Sequence, residues 1–183
     1  MSIQGRIALS TESVFYFRLR IYRKMPIFIS ERYFHILTSA LENVHKTLKV
    51  LLLGYVIVDD ELSVIISVHG VQTNVREAIQ QIMSESAKHL LGILEKENRT
   101  DLLHIFKYNR VRIRRKTPRV WEPSNRLTLI RTEKTFMKTL QAIHQIPVKL
   151  GLVTRSEHWR FSSARNYLLN DHSVLAVATQ FIG

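Results

Sequence analysis

The sequence predicts an α+β protein of the ferredoxin-like βαββαβ class: an antiparallel sheet with helices on one face, followed by a C-terminal helix. One observation is that short stretches with apolar residues at every second position alternate with longer ones of helical spacing. The other is that the apolar stretches 50–58 and 61–69 are separated by only two residues. So short a link predicts an antiparallel hairpin at the centre of the chain.

The first predicted strand is "VFYFRLRIY", residues 14–22. Because side chains of a strand alternate between its two faces, one face is apolar and is formed by Phe15, Phe17, Leu19 and Ile21. The other face combines aromatic rings with cations and is formed by Tyr16, Arg18, Arg20 and Tyr22. Such a face can pair with phosphates and stack on bases, although an ordinary exposed face of a sheet remains the alternative.

Two helices are predicted on either side of the hairpin. Ser30 is placed to cap the first, which runs to about Lys49, and Asn74 to cap the second, which runs to about Glu97. We expect seven apolar residues to be buried between these helices and the sheet, namely Phe15, Phe17, Leu41, Val56, Ile65, Ile79 and Ile82.

The segment 99–126 contains two prolines and many cations, and it is predicted to be an irregular basic arm with at most a short strand. A fourth strand follows at 127–130, and Thr132 caps a third helix that Pro147 ends. In that helix the predicted inward residues are Phe136, Met137, Leu140 and Ile143. A short helix near 163–169 completes a single domain, 1–183, with its core at 12–170.

Charge is the strongest compositional feature. The chain has 27 Lys and Arg against 15 Asp and Glu, a net charge of +12. Residues 99–134 hold eleven basic and three acidic side chains, and residues 105–120 hold seven basic ones and no acid. A basic stripe of this kind is typical of proteins that bind a polyanion, although a merely solvated basic surface remains an alternative.

Several other classes are disfavoured by composition. The longest apolar run has nine residues, too short to cross a bilayer, and the N-terminus lacks the pattern of a secretory leader. The chain has no cysteine, which excludes disulfides and thiolate metal sites and suits a cytoplasmic location. We therefore expect no membrane partner, no cofactor and no metal site.

Five short pieces of the sequence resemble the small HUH-type tyrosine transposases, especially the branch associated with repetitive extragenic palindromes (REP). "KMPIF" is similar to that family's "RKPIF", and "GYVIVDDELSVII" to its "AYVIMPNHVHLLI". "VWEP" resembles "FWQP", "AIHQIPVKLGLV" resembles "YIHxNPVKxGLV", and "HWRFSSARNYL" resembles "DWPWSSYRxYL". The pieces occur in the family's order and span roughly residues 12–170.

The resemblance implies a mechanism whose key residues differ in this chain. In the family, a His-x-His pair on one strand holds a divalent metal. A tyrosine on a C-terminal helix attacks the phosphate of single-stranded DNA and becomes covalently linked to it. The matching positions here are Glu61 and Ser63 for the pair and Ala142 for the nucleophile. We therefore expect no transposase or nuclease activity.

Replacements for the missing groups are conceivable. Asp59, Asp60 and Glu61 could bind Mg²⁺, and Tyr55 or Tyr108 could act as the nucleophile. Adjacent acids at a hairpin tip, however, are more often a solvated turn. His144, which matches the family's "IH", is interpreted as a structural residue.

The sequence thus predicts a catalytically inactive, transposase-derived protein that binds single-stranded or hairpin DNA in a regulatory or architectural role. RNA, and the choice between monomer and homodimer, stay open. The alternatives are an active single-strand nuclease or transposase with displaced catalytic residues, and an interaction subunit that uses its basic face on an acidic protein. The predicted nucleic-acid contacts are Tyr16, Arg18, Arg20, Tyr22, Arg110, Arg112, Arg114, Arg115, Lys116, Arg119 and Arg126.

Overall fold

The computed structural model describes residues 12–69, 75–107, 118–123 and 126–180. The strands are β1 (Glu12–Arg20), β2 (Leu51–Ile57), β3 (Glu61–His69) and β4 (Leu127–Ile130). The helices are α1 (Glu31–Leu48), α2 (Val75–Lys96), α3 (Thr100–Lys107), α4 (Glu133–His144), α5 (Ile146–Lys149) and α6 (Ala164–Leu169). Asn74, the predicted cap of α2, lies outside the described residues.

The four strands form one antiparallel sheet in the order β2-β3-β1-β4. β1 pairs with β3 along its whole length, from Glu12 opposite His69 to Arg20 opposite Glu61. The predicted hairpin is present, and β3 has the predicted bounds. The predicted α+β class with an antiparallel sheet is confirmed.

The main core lies between the sheet and helices α1 and α2. Phe17 and Leu19 are fully buried there, and Leu41, Ile79 and Ile82 meet them from the helices. Phe15 is only half-buried and packs at the margin of this core. The apolar face of β1 is therefore the predicted one.

A second, smaller core lies on the opposite face of the sheet, where α4 covers β2. Val56 and Ile65 belong to it and contact the cluster of Phe136 and Leu140, not α1 and α2. The prediction that they pack beneath the first two helices is wrong. An apolar run as continuous as 50–58 is typical of a strand that is covered on both faces.

Three further predictions are corrected. The segment interpreted as an irregular arm contains α3, because Leu102 and Phe106 recur at helical spacing and are buried. Met137 was predicted to face inward but is 53% exposed. Pro147 does not end α4: the helix stops at His144, and the proline lies in the first turn of α5, where its missing N–H has no cost.

The segment 118–123 extends the sheet beside the end of β1. Trp121 forms an isolated bridge with Ile21 and donates its indole N–H to the carbonyl oxygen of Met83 at 3.2 Å. Its ring stacks on that of Phe28 at 6.2 Å. These contacts hold segment 118–123 between α2 and the residue that follows β1. No helix among the described residues is long and apolar enough to cross a membrane.

Candidate nucleic-acid interface

The polar face of β1 carries one aromatic ring, Tyr16, followed by two cations, Arg18 and Arg20. This face lies on the side of the sheet away from α1 and α2. Because β1 and β3 are in antiparallel register, the facing pairs are Arg20–Glu61, Arg18–Ser63 and Tyr16–Ile65. Directly opposed residues share a face. Tyr16, Arg18 and Arg20 therefore stand next to the two positions that the resemblance matches to the His-x-His pair.

Glu61 is the centre of a closed polar network. The Nε of Arg20 donates to its Oε2 at 2.7 Å, and the Nε of Arg18 lies 3.7 Å from the same oxygen. Ser63 donates its hydroxyl to the other oxygen, Oε1, at 3.1 Å, and the Tyr16 hydroxyl lies 3.4 Å from Ser63. Both carboxylate oxygens are thus already engaged by this chain's own side chains.

The two sides of this ion pair differ in exposure. The Glu61 side chain is 8% exposed, whereas those of Arg20 and Arg18 are 37% and 43% exposed. The hydrogen bond to Glu61 raises the pKa of Arg20 above its usual range. A covered carboxylate therefore holds two cations whose outer edges face solvent.

The remaining predicted cations separate into three groups. Arg126 is exposed at the start of β4 and lines a pocket together with Arg18 and Arg20. Arg119 is half-buried, and its backbone N–H donates to the Phe106 carbonyl at 2.8 Å. Five predicted cations of the arm lie outside the described residues, namely Arg110, Arg112, Arg114, Arg115 and Lys116.

Tyr22 does not continue the polar face of β1. The strand ends at Arg20, and Tyr22 begins a 3-10 turn, half-buried against the helix-side core. Arg23 and Arg119 lie 5.4 and 5.7 Å from its ring centre. The prediction that Tyr22 shares a face with Tyr16 is wrong, because the chain turns one residue after the strand ends.

The acidic hairpin tip is tied to the chain before α1. The carbonyl of Asp59 accepts the N–H groups of Ile27 and Phe28, both at 2.8 Å, and that of Asp60 accepts the N–H of Ile21 at 2.8 Å. Burial, reinforced by the neighbouring carboxylates, raises the pKa of Asp60. In the described part of the chain, no three His, Asp or Glu side chains form a group that could hold a metal ion.

The α4 positions matched to the family's nucleophile and adjoining histidine are placed differently. Ala142 is exposed, whereas His144 is buried, and its Nε2 lies 2.7 Å from Oγ of Ser163. The same Oγ accepts the backbone N–H of Tyr55 at 2.9 Å. Burial lowers the pKa of His144 to about 4, so the ring is neutral at pH 7. It joins α4 to β2 and to the segment before α6.

Tyr55, one conceivable replacement nucleophile, is 1% exposed, and burial raises the pKa of its hydroxyl. A phenol so enclosed cannot reach a phosphate of DNA. Tyr108, the other, lies outside the described residues.

Two residues beside this face were missed from the sequence. Lys24 and Glu122 line the pocket that also includes Arg126. Strand periodicity ends before Lys24, and Glu122 is brought back only by the pairing of segment 118–123 with the end of β1. The one available indication was that both lie in pieces that resemble family motifs, "KMPIF" and "VWEP".

No protein-family model and no curated protein matches this chain. A solved structure does: the REP-associated tyrosine transposase bound to a REP hairpin has 15% sequence identity and a TM-score of 0.65, with 99% of this chain and 94% of that chain covered. A candidate transposase from Deinococcus radiodurans R1 has 12% identity and a TM-score of 0.49, with 79% and 97% covered. The chain therefore has the fold of the REP-associated transposase over nearly its whole length.

Proposed function

We propose that this protein binds single-stranded or hairpin DNA without cutting it, and that it acts as a regulatory or architectural factor. The observation that carries the proposal is the closed network around Glu61. At the two positions matched to metal-binding histidines, the chain has a carboxylate held by Arg20 and Arg18 and a serine that donates to that carboxylate.

This network opposes metal chemistry on physical grounds. A divalent ion at Glu61 would have to displace the Arg20 guanidinium or lie beside two positive charges. Ser63 offers only a neutral hydroxyl in return, which is a weak ligand. Without a metal to polarise the phosphate, and with a methyl group at Ala142, attack on DNA lacks both of its usual groups.

The same network supports DNA binding. Arg18 and Arg20 keep their outer edges in solvent on the face that also carries Tyr16. The Tyr16 ring is half-buried against the second core, and its remaining exposed part would serve for stacking beside the two phosphate-pairing cations. The net charge of +12 favours a polyanion. The REP-associated transposase that shares the fold was solved with a REP hairpin, which supports structured DNA as the ligand class.

Incubation with DNA tests the absence of chemistry. Purified protein with Mg²⁺ or Mn²⁺ is expected to give no nicked single strand and no denaturation-resistant protein–DNA adduct, on linear strands and on hairpins. The control is the restored variant Glu61→His/Ser63→His/Ala142→Tyr, assayed in parallel. An adduct formed by the parent protein and abolished by Tyr108→Phe would establish a displaced nucleophile and contradict the proposal.

Salt dependence tests DNA binding and the role of the arm. For about five phosphate contacts on a single strand we expect a log–log slope of affinity against salt of about −3 to −4. Replacement of Arg112, Arg114 and Arg115 by alanine is expected to flatten this slope. The matched control removes three exposed cations of the helical side, Lys46, Lys88 and Lys96. Equal binding by the arm variant and the parent at every salt concentration would favour an acidic protein partner instead.

Variants of Tyr16 distinguish the contribution of base stacking to DNA affinity from that of charge. Its replacement by alanine is expected to weaken DNA binding by about 1–3 kcal/mol while the salt slope stays unchanged, because a ring is lost and no phosphate contact is. Tyr16→Phe keeps the ring and should bind like the parent. A loss of affinity that is equal for the two variants would show that the hydroxyl beside Ser63, not the ring, matters.

A further inference from the structure

A pocket of about 290 Å³ opens beside the end of β1. Its lining is strongly cationic and comes from two parts of the chain that are distant in sequence: the end of β1 with the turn that follows it, and the segment just before β4. The lining residues are Arg18, Arg20, Lys24, Glu122 and Arg126.

The cations of this pocket differ in whether they are paired with a carboxylate of the protein. Arg18 and Arg20 share the buried carboxylate of Glu61. Glu122 accepts the backbone N–H of Arg23 at 2.8 Å with its Oε1. Lys24 and Arg126 are exposed and form no ion pair with any described residue. The pocket therefore keeps cationic groups that the protein itself does not neutralise.

The backbone that carries Lys24 is unusual. Arg23 and Lys24 have φ angles of +58° and +52°, so two successive residues with side chains occupy the left-handed region. Each such residue costs on the order of 1 kcal/mol, and strain of this kind concentrates at ligand sites. The Glu122 bond to Arg23 and the bond from the Lys24 N–H to the Ile21 carbonyl, at 2.9 Å, hold the turn in place.

We propose that this pocket binds a terminal phosphate monoester of a nucleic-acid strand, which deepens the proposed function and rests on it. The four cations of the pocket, set against the carboxylate of Glu122 in its lining and that of Glu61 beneath Arg18 and Arg20, leave two net positive charges. A terminal monoester carries a charge of about −1.5 to −2 near pH 7, whereas an internal phosphodiester carries only −1. The charge of the pocket therefore matches a strand end better than the middle of a strand.

The direct test compares oligonucleotides of one sequence with a 5′-phosphate, with a 3′-phosphate or with hydroxyls at both ends, by fluorescence anisotropy on the full chain. One phosphorylated end is expected to bind about tenfold more tightly than the hydroxyl form, the range of a charged hydrogen bond. A fourth strand, longer by one nucleotide, adds one phosphodiester charge but no monoester, and should bind like the hydroxyl form.

Variants locate the effect. Lys24→Ala/Arg126→Ala is expected to abolish the difference between phosphorylated and hydroxyl ends while hydroxyl-ended DNA still binds. The matched control, Lys88→Ala/Lys96→Ala, removes two exposed cations from α2 and should keep that difference. Circular dichroism establishes that both variants are folded.

The outcomes separate this inference from the proposed function. Equal binding of all four strands with a steep salt dependence would overturn the strand-end pocket and leave DNA binding in place. An end preference that survives in Lys24→Ala/Arg126→Ala would place the monoester elsewhere and also overturn it. No binding of any strand would reject the proposed function itself.

Discussion

Two polar networks lie against the same sheet, and they differ in burial and charge. In one, His144 and Ser163 are 7% and 0% exposed and join α4 to the backbone of Tyr55 by neutral hydrogen bonds. In the other, the Glu61 carboxylate is covered but its arginine partners are more than one-third exposed. The first network can contribute only to stability, whereas the second keeps charged groups available to a ligand.

Both networks stand in pieces of the sequence that resemble motifs of the transposase family. His144 lies in "AIHQ" and Ser163 in "FSSARNYL", and the buried hydrogen bond between them gives both residues a structural role. Glu61 and Ser63 lie in "DDELS", and strand pairing sets them opposite the solvent-exposed cations Arg20 and Arg18 of β1. Substitutions in the buried network should therefore change unfolding, and those in the open network should change DNA affinity.

The largest effect is expected from pH acting on His144. Its folded-state pKa of about 4 is below the usual value of 6.5, so the unfolded chain takes up a proton first as pH falls. The free energy of unfolding should therefore be at its maximum above about pH 6.5 and fall by about 3 kcal/mol as the pH is lowered to 4. Urea unfolding at several pH values measures it.

The control for this pH dependence is His144→Gln, which should be less stable at pH 7 but nearly independent of pH between 6.5 and 4.5. Carboxylates such as Asp171, whose pKa of about 2 is lowered by bonds to Ser173 and Arg165, act at lower pH. A parent protein equally stable at pH 6.5 and 4.5 would contradict the buried, neutral state of His144.

Removal of the Ser163 hydroxyl is the next largest change. Ser163→Ala leaves the Tyr55 N–H without its 2.9 Å acceptor and His144 without its 2.7 Å partner. We expect a loss of about 2 kcal/mol in the free energy of unfolding and no change in DNA affinity. Ser84→Ala, at an exposed serine of α2, is the matched control and should cost under about 0.5 kcal/mol. A fall in DNA affinity with unchanged stability would reverse the roles of the two networks.

The smallest change in stability is expected from Glu61→Gln. Arg18 and Arg20 can hydrate when the carboxylate is lost, because they are 43% and 37% exposed, so unfolding should change by no more than about 1 kcal/mol. Loss of one negative charge beside Arg18 and Arg20, the proposed phosphate contacts, should strengthen DNA binding about fivefold, or about 1 kcal/mol. Anisotropy at fixed salt measures this. Weaker binding would show that Glu61 acts mainly by holding the two arginines in position.

The sequence by itself determined the elements that depend on neighbouring residues. The period-two pattern of 14–22, the two-residue link before Glu61 and the helical spacing after Ser30 each predicted an element that the structure contains, although β1 ends two residues earlier than predicted. The alternation of β1 also predicted that Tyr16, Arg18 and Arg20 share a face, because a strand directs every second side chain to the same side. α3 was missed because the dense charge of its neighbourhood outweighed its short apolar repeat.

Only the tertiary structure decided which of these residues meet. Strand register brought Arg20 opposite Glu61, forty-one residues later in the chain, and the return of segment 118–123 brought Glu122 beside the turn at Lys24. The burial of His144 against Ser163 and the second core beneath α4 likewise arise from packing between distant segments. Local periodicity specifies the direction of a side chain relative to its own element, whereas its partners depend on how the elements pair and pack.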